Sequence, residues 1–468
     1  MKKTILKYLL LSASLFCTFA CSDNFLEIKP RGKEIASTYE HYNGMLNTFN
    51  LTLYGAMGQT AYSFYMSDEF TATEESLNNL LLYTQDGGPA AYRYESNYMK
   101  PEETTTEWGF GQNIYTYNVI IRDVMNAEGG TDEEKLSVYS EARVMRAWLH
   151  FTTAQYFCKP YNESTAATDK GLPLATSSNT MDEKFEMRSV KDLYDFIVTE
   201  MEESVPHIQN RTNYTFRCEK SDAYTMLGMI YYYMNKYDKA LAAFRQAKTY
   251  ADENGSSFLY NYNDYDDEWV NNSHPMHYEH KEYMRDLEFS NLHIMYFPFY
   301  VPEPIIYVKD EYINKFSAGD RRLARFAKVD GEEFYRPIIS YFTMGPTSAD
   351  LYTMLAECEA REGDANAARA LLVEFRKRRM PESEAEIPSS VASKEDLVKF
   401  AIDEHIREWM GTGKIWWDMR RLWNDSYYAA EKAKFGHSVG SQTYIPQLDN
   451  LVLPIPQQVA DWHPEWND

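Results

Sequence analysis

The sequence predicts an all-α protein, a TPR-type helical-repeat scaffold interrupted by aromatic-rich irregular inserts, and three observations predict it. Tyr224, Leu227, Gly228, Tyr231, Ala240 and Phe244 stand at the spacing of a tetratricopeptide helix pair, with Tyr in place of the usual Trp. A weaker copy runs from Tyr352 through Leu355 and Ala356 to Ala368 and Leu372. Residues 141–157, 190–204 and 397–409 carry apolar side chains at the 3.6-residue period of amphipathic helices.

Each part of the frame has a physical reason. Gly228 and Ala240 are small, so two helices can approach closely, while Tyr231 and Phe244 fill the groove between them and Asn235-Lys236-Tyr237 makes the turn. In the second copy Arg361-Glu362-Gly363-Asp364 is the turn. The offset between Tyr224 and Tyr352 is not a multiple of the repeat length of about 34 residues, so non-repetitive chain is inserted. The helical frame is expected mainly over residues 108–255 and 349–423. The inserts are expected at about 57–106, with Gly87-Gly88-Pro89, and about 256–348, where Pro298, Pro302, Pro304, Pro337 and Pro346 break helices. Loops held by a rigid scaffold are where recognition residues collect.

Composition narrows the function. The 468 residues include 47 basic and 70 acidic ones, a net charge of −23, which excludes a nucleic-acid partner because phosphate binding needs a cationic face. Hydrophobic residues at 44% and charged ones at 25% fit neither a disordered chain nor a polytopic membrane protein. Aromatics reach 15%, led by 38 Tyr, which favours binding surfaces that need a flat apolar face with a hydroxyl at its edge.

Residues 1–20 read as a signal peptide. Lys2, Lys3 and Lys7 precede an apolar run from Tyr8 to Ala20 that is too short to span a bilayer. It ends in Thr18-Phe19-Ala20-Cys21 before polar Ser22-Asp23-Asn24, similar to a bacterial lipobox with Thr18 in place of the usual Leu. The mature chain, a single domain over residues 21–468, is expected to start at Cys21, lipid-modified there by an acyl group such as palmitate, with ordinary secretory cleavage as the alternative. Cys158, Cys218 and Cys358 lie far apart in apolar contexts and read as buried small hydrophobes, not as disulfides or a zinc site.

Several sharper features have blander readings. His274, His277 and His280 are interrupted by Pro275, which disfavours a helix that would align them on a metal. Asp264, Asp266, Asp267 and Glu268 lack the glycine and terminal glutamate of a calcium loop. Gly411-Thr412-Gly413-Lys414 imitates a phosphate loop but is followed by Ile415 in place of Ser or Thr. No metal and no cofactor is expected. Trp416, Trp417, Asp418, Arg420 and Arg421, like Glu141, Arg143 and Arg146, read as core packing with paired charges.

A series of motifs in order resembles the SusD/RagB family of outer-membrane nutrient-binding lipoproteins. Cys21 is followed by Phe25-Leu26 and Pro30; then come Trp108, Ile114, Tyr115 and Asn118, and Glu141-Ala142-Arg143 with Arg146-Ala147. Gly171-Leu172-Pro173-Leu174, Val190-Lys191-Asp192-Leu193-Tyr194, Arg407-Glu408 with Trp416-Trp417-Asp418-Met419-Arg420-Arg421, and Leu453-Pro454-Ile455-Pro456 complete the series. Thr412 and Ile415 depart from the acidic residue and Arg usual before the Trp pair, which puts one buried ion-pair network in doubt. The resemblance implies a TPR-based fold without catalytic residues, lipid-anchored on the extracellular face of the outer membrane. There it would cap a SusC-like TonB-dependent transporter and deliver captured oligosaccharide. The family builds its ligand surface from regions equivalent to the two inserts, so Arg93, Tyr94 and Tyr98 from the first and Tyr265, Trp269 and Tyr300 from the second are the expected contacts. Asp68 and Glu69 are the expected hydroxyl acceptors. A glycan-cleaving enzyme, which needs only two suitably spaced carboxylates, and a peptide-binding TPR scaffold are the rival readings.

Overall fold

A computed structural model describes residues 36–47, 51, 62–84, 87–111, 113–179, 185–212, 217–255, 259–265, 306–328, 334–337 and 345–467. The expected frame is there. Its helices are α1 (Ile114–Asp123), α2 (Asp132–Phe157), α3 (Val190–Ser204), α4 (Lys220–Tyr233), α5 (Tyr237–Asn254), α6 (Ser348–Glu362), α7 (Ala365–Arg376), α8 (Lys394–Trp409) and α9 (Ile415–Arg421). Their starts are written in capping residues. Thr131 with Glu134, Thr347 with Asp350 and Ser393 with Asp396 form reciprocal capping boxes, and Ser189 accepts from the amide of Asp192. At the other end of the first repeat, α5 stops at Gly255, which takes a left-handed φ of 67°.

The repeat signature packs as its residue sizes require. Helix α4 lies on α5, and α6 lies on α7 and α8. The two pairs also touch each other through α5 and α6, although the second insert separates them in sequence, so the solenoid closes over its interruption. Tyr231, Ala240 and Phe244 are buried, and Phe244 covers the space left by the missing side chain of Gly228. One continuous apolar core runs through the frame, with Trp148, Trp416 and Trp417 at its centre. Trp417 meets Phe151 and Tyr233 edge to face at 5.6 and 5.3 Å. Cys158, Cys218 and Cys358 are free and buried.

The charged side chains of these helices are structural, as their sequence context indicated. Arg143 and Arg146 both bind Glu200, Arg146 also donates to Asn118 at 2.8 Å, and Arg217 pairs with Glu141 at 2.6 Å. Asp418 accepts from Arg421 at 3.1 Å, and Arg420 donates to the carbonyls of Leu451 and Cys158. Lys414 is buried and donates to both oxygens of Asp350, at 2.8 and 2.6 Å. Its ammonium therefore neutralises the α6 cap and has no phosphate to meet. This ion pair stands beside Thr412, whose Oγ1 accepts from the Lys414 amide at 3.4 Å.

Around the frame, the first insert holds more helix than its Gly and Tyr content suggested: Tyr62–Met66, Glu74–Thr84 and Gly87–Tyr92 are helical. Pro89 sits in the first turn of the last of these, where its missing N–H costs no helical bond. Phe70–Thr71 pairs antiparallel with Tyr307–Val308, Phe70 opposite Val308, so the first insert is tied to the second. Two further short antiparallel pairs join Phe326–Ala327 to Arg336–Pro337 and His437–Val439 to Gln442–Tyr444. Among the described residues no helix is long and apolar enough to cross a membrane.

A Cβ at position 228 would lie 2.5 Å from the Phe244 ring. Gly228→Ala is therefore expected to destabilise the protein by about 1–3 kcal/mol, the usual cost of overpacking. Denaturant unfolding should show a lower midpoint with an unchanged slope, and Phe244→Leu in the same chain should restore part of the loss.

Candidate functional site

The strand pair between the inserts brings together three distant segments. Asp68 Oδ1 accepts from Lys309 Nζ at 2.9 Å and from the Gly436 amide at 2.8 Å, while Oδ2 accepts from the Tyr312 hydroxyl at 2.7 Å. Beside it the Glu69 carboxyl is fully buried; Ser67 Oγ donates to one oxygen, and burial pushes its pKa up to about 8. His437 lies between the rings of Tyr92 and Tyr94, stacked at 4.1 and 4.8 Å, and its Nδ1 donates to the Tyr92 carbonyl at 2.6 Å. Burial first, and the nearby Lys309 cation next, push His437 down to about 4, so it is neutral at physiological pH. The Tyr94 hydroxyl donates to the Met66 carbonyl at 3.1 Å.

This junction takes up part of the expected contact set in internal packing. Asp68, Glu69 and Tyr94 lie beneath the surface, and Asp68 and Tyr94 spend their polar atoms on other segments of the chain, so in this arrangement they are fasteners and present no face to a ligand. Tyr98 is also mostly buried, its ring tilted on Tyr62 at 4.8 Å, but part of it borders an open groove. Arg93 is half-buried and 3.7 Å from Glu95. Tyr265 is half-buried 6.2 Å from Tyr260, and its carbonyl accepts from Arg321 at 2.8 Å. Cys21, Asp266, Asp267, Glu268, Trp269, the three histidines at 274, 277 and 280, and Tyr300 lie outside the described residues.

The groove bordered by Tyr98 encloses about 590 Å³. Phe157, Val452 and Leu453 contribute apolar surface, and Lys159, Asp169 and Asp449 contribute charge. Lys159 and Asp449 form an ion pair at 2.8 Å, both at least partly exposed. Asn450 is fixed at both ends, donating to the Tyr94 carbonyl at 3.0 Å and accepting from the Gln447 amide at 2.7 Å. The amide of Leu453 donates to the Tyr156 carbonyl at 2.8 Å, which holds the C-terminal segment on the end of α2. An apolar surface with charged groups of both signs around it suits a ligand with an apolar face and many hydroxyls. Lys159, Asp169 and Asp449 were not anticipated from spacing. The nearest sequence signal was the pair of motifs Gly171-Leu172-Pro173 and Leu453-Pro454-Ile455, of which Gly171 and residues 453–455 line this groove together.

The buried Glu69 gives the junction a pH signature. Its proton is retained up to about pH 8 in the folded chain but leaves near the ordinary carboxylate range, about 4.5, in the unfolded one. The stability it contributes is thus complete below about pH 4.5 and is lost as pH rises toward 8. Glu69→Gln, neutral at every pH, is expected to melt several degrees above the wild type at pH 8 and within a degree or so of it near pH 4.5, as read by thermal unfolding at the two pH values.

A family model described as starch-binding associating with outer membrane matches residues 24–232, and one described as the SusD family matches residues 348–464. Among curated proteins none matches the chain. A SusD superfamily protein from Bacteroides vulgatus superposes with a TM-score of 0.67 at 19% identity, over 92% of this chain and 98% of that one. A putative sugar binding protein from the same species gives 0.65 at 17%, again over 92% and 98%. Surface glycan-binding protein A from Bacteroides uniformis gives 0.63 at 16%, also over 92% and 98%. These likenesses share the fold; together with the two family matches, which span well over half of the sequence, they show that this chain belongs to the SusD/RagB family.

Proposed function

We propose that this chain is a surface-exposed lipoprotein that binds an oligosaccharide and delivers it to a SusC-like TonB-dependent transporter in the outer membrane. The observation that carries the reading is the groove beside Tyr98: two family motifs far apart in sequence border one open site with an apolar surface and a charged edge. Sugars present a face of C–H groups and a rim of hydroxyls, so they need this combination and little else. Relatives of the same fold named as a putative sugar binding protein and as a surface glycan-binding protein support the same class of ligand. They also favour binding over hydrolysis. The description of the N-terminal family match supports an outer-membrane setting, and Cys21 is the residue we assign to the lipid anchor.

In this reading Arg93, Tyr98, Tyr265, Trp269 and Tyr300 remain the contacts proposed from the two inserts, with Trp269 the main platform because Asn271 and Asn272 follow it and can both donate and accept. Calorimetric titration against a glycan panel is expected to find a ligand for the wild type. An aromatic stacking contribution of about 0.5–1.5 kcal/mol predicts several-fold weaker binding in Trp269→Ala with an unchanged unfolding midpoint. Unchanged affinity would remove Trp269 from the site, and cleavage of the best-bound glycan would put the enzyme reading ahead. Cys21→Ala is expected to move the protein from the membrane fraction to the soluble one. Purification of the lipidated form in mild detergent should bring a TonB-dependent barrel with it, and recovery without one counts against the partnership.

A further inference from the structure

At the end of α7 the chain runs Arg376-Lys377-Arg378-Arg379, and the fold treats these four cations differently. Arg376 and Arg379 are buried and bind Glu404 and Glu408, at 2.8 and 3.0 Å. Lys377 pairs with Glu382 at 2.6 Å. Arg378 is exposed, and its guanidinium makes neither an ion pair nor a hydrogen bond; among the described residues every other arginine has a partner on the chain. The Arg378 carbonyl accepts from the Tyr262 amide at 2.8 Å, which fixes the backbone that carries this cation. Its charge reaches the Tyr352 hydroxyl: burial first, and the Glu374 acceptor next, raise that phenol, and the Arg378 cation works against them.

Arg378 lines an open pocket of about 580 Å³ together with Asn261, Asn263, Glu374, Lys377 and Glu382. The other polar groups of this pocket divide into spent and unspent. Glu374 accepts from the Tyr352 hydroxyl at 2.8 Å and Glu382 from Lys377 at 2.6 Å, so each carboxylate already has a donor from the fold. Asn263 Nδ2 donates to the carbonyls of Lys377 and Met380, both at 3.0 Å, and to Asn261 Oδ1 at 2.9 Å, which locks the two amides onto the turn after α7. The Asn261 amide nitrogen and the Asn263 amide oxygen are left without a partner on the chain. A cation past a helix C-terminus is favoured by the helix dipole, but a cap requires no pocket in front of it and no unspent amide groups beside it.

We propose that this pocket receives a uronic acid unit of the bound oligosaccharide, its carboxylate on Arg378 and its ring hydroxyls on Asn261 and Asn263. The inference rests on the glycan-binding reading above and names the class of glycan. A planar fork of donors with no partner on the chain matches a carboxylate, which it holds by two parallel hydrogen bonds. Lys377 and Glu382 neutralise each other, and Glu374 is engaged by Tyr352, so Arg378 is the cation left for a ligand. A chain of net charge −23 repels an acidic ligand at long range, and an unpaired cation in a recess is where such a ligand is held. An amide pair donates to one hydroxyl and accepts from another. The volume falls within the range for small-molecule sites, about 300–1,000 Å³. Asn261 and Asn263 stand shortly before Tyr265, so the acid subsite and the aromatic contacts proposed from the second insert share one stretch of chain.

The test titrates oligosaccharides of galacturonate, glucuronate and mannuronate, each alongside its carboxyl-reduced neutral form, into the full chain and its Arg378→Gln and Arg378→Lys variants, with a melting curve for each protein. At least one acid form is expected to bind the wild type about 10- to 100-fold more tightly than its reduced form, the range of a hydrogen bond to a charged group. Arg378→Gln is expected to erase that preference while it binds the reduced form as the wild type does and melts at the wild-type temperature. Arg378→Lys, which keeps the charge but loses the planar fork, is expected to fall between the two. If Arg378→Gln melts lower, Arg378→Lys decides, and a full wild-type preference in it overturns the clamp. Equal affinity of the wild type for every acid and its reduced form, or an acid preference that survives in Arg378→Gln, overturns the subsite and leaves the glycan reading standing where neutral glycans bind. A wild type that binds no glycan, acidic or neutral, overturns both.

Discussion

The C-terminal half of this protein depends on buried charges that cannot be left unpaired. Arg322 reaches Asp320 at 2.7 Å, Glu404 at 2.6 Å and Glu408 at 3.1 Å, all with almost no solvent contact. Arg376 and Arg407 complete the shell of Glu404, and Arg379 that of Glu408. The surrounding cations outweigh the cost of burial and hold Glu404 well below the usual carboxylate range. A second knot joins Glu357 to Arg421 at 2.9 Å and to Arg361 at 2.7 Å, and Arg361 to Asp425 at 2.8 Å. Replacing such groups by apolar ones of equal volume is often neutral, but removing one partner leaves a buried charge uncompensated at a cost of about 3–5 kcal/mol. The networks therefore act as a register. Arg322 comes from the later part of the second insert and its partners Glu404 and Glu408 from α8, so the insert has one place to return to the frame.

That constraint explains why the frame tolerates interruption. A solenoid is normally stabilised by each repeat stacking on the next, and here α5 meets α6 only after a long excursion of the chain. The excursion is clamped where it leaves and where it returns. Tyr262 packs under Arg325 and Arg379 at 5.3 and 4.4 Å on the outward side, and the Arg322 cluster closes the inward side.

The same contrast governs what could be read from the sequence. The helix pairs were legible because their requirements are local: a glycine where Phe244 must approach and apolar residues at the helical period. Trp416, Trp417 and the neighbouring charges were legible as core for the same reason. The site was less so. Asp68, Glu69 and Tyr94 have the composition of a sugar site, yet they are buried by Lys309, Tyr312 and the Gly436-His437 turn, hundreds of residues away. No spacing rule reports a junction among three segments so far apart. Conversely, Trp462 and Trp466 look from their sequence like any other tryptophans, and only the fold shows that one faces water and the other walls a pocket.

The three interior thiols have a consequence for how this chain withstands oxidants. Cys158, Cys218 and Cys358 are buried, and burial raises the pKa of each, Cys158 to about 12, so the nucleophilic thiolate is scarce at neutral pH. Once folded, these sulfurs are sheltered from oxidants and from exchange with other thiols. Redox damage to them is therefore a hazard of the unfolded chain alone, and the speed of folding becomes the protein's antioxidant defence.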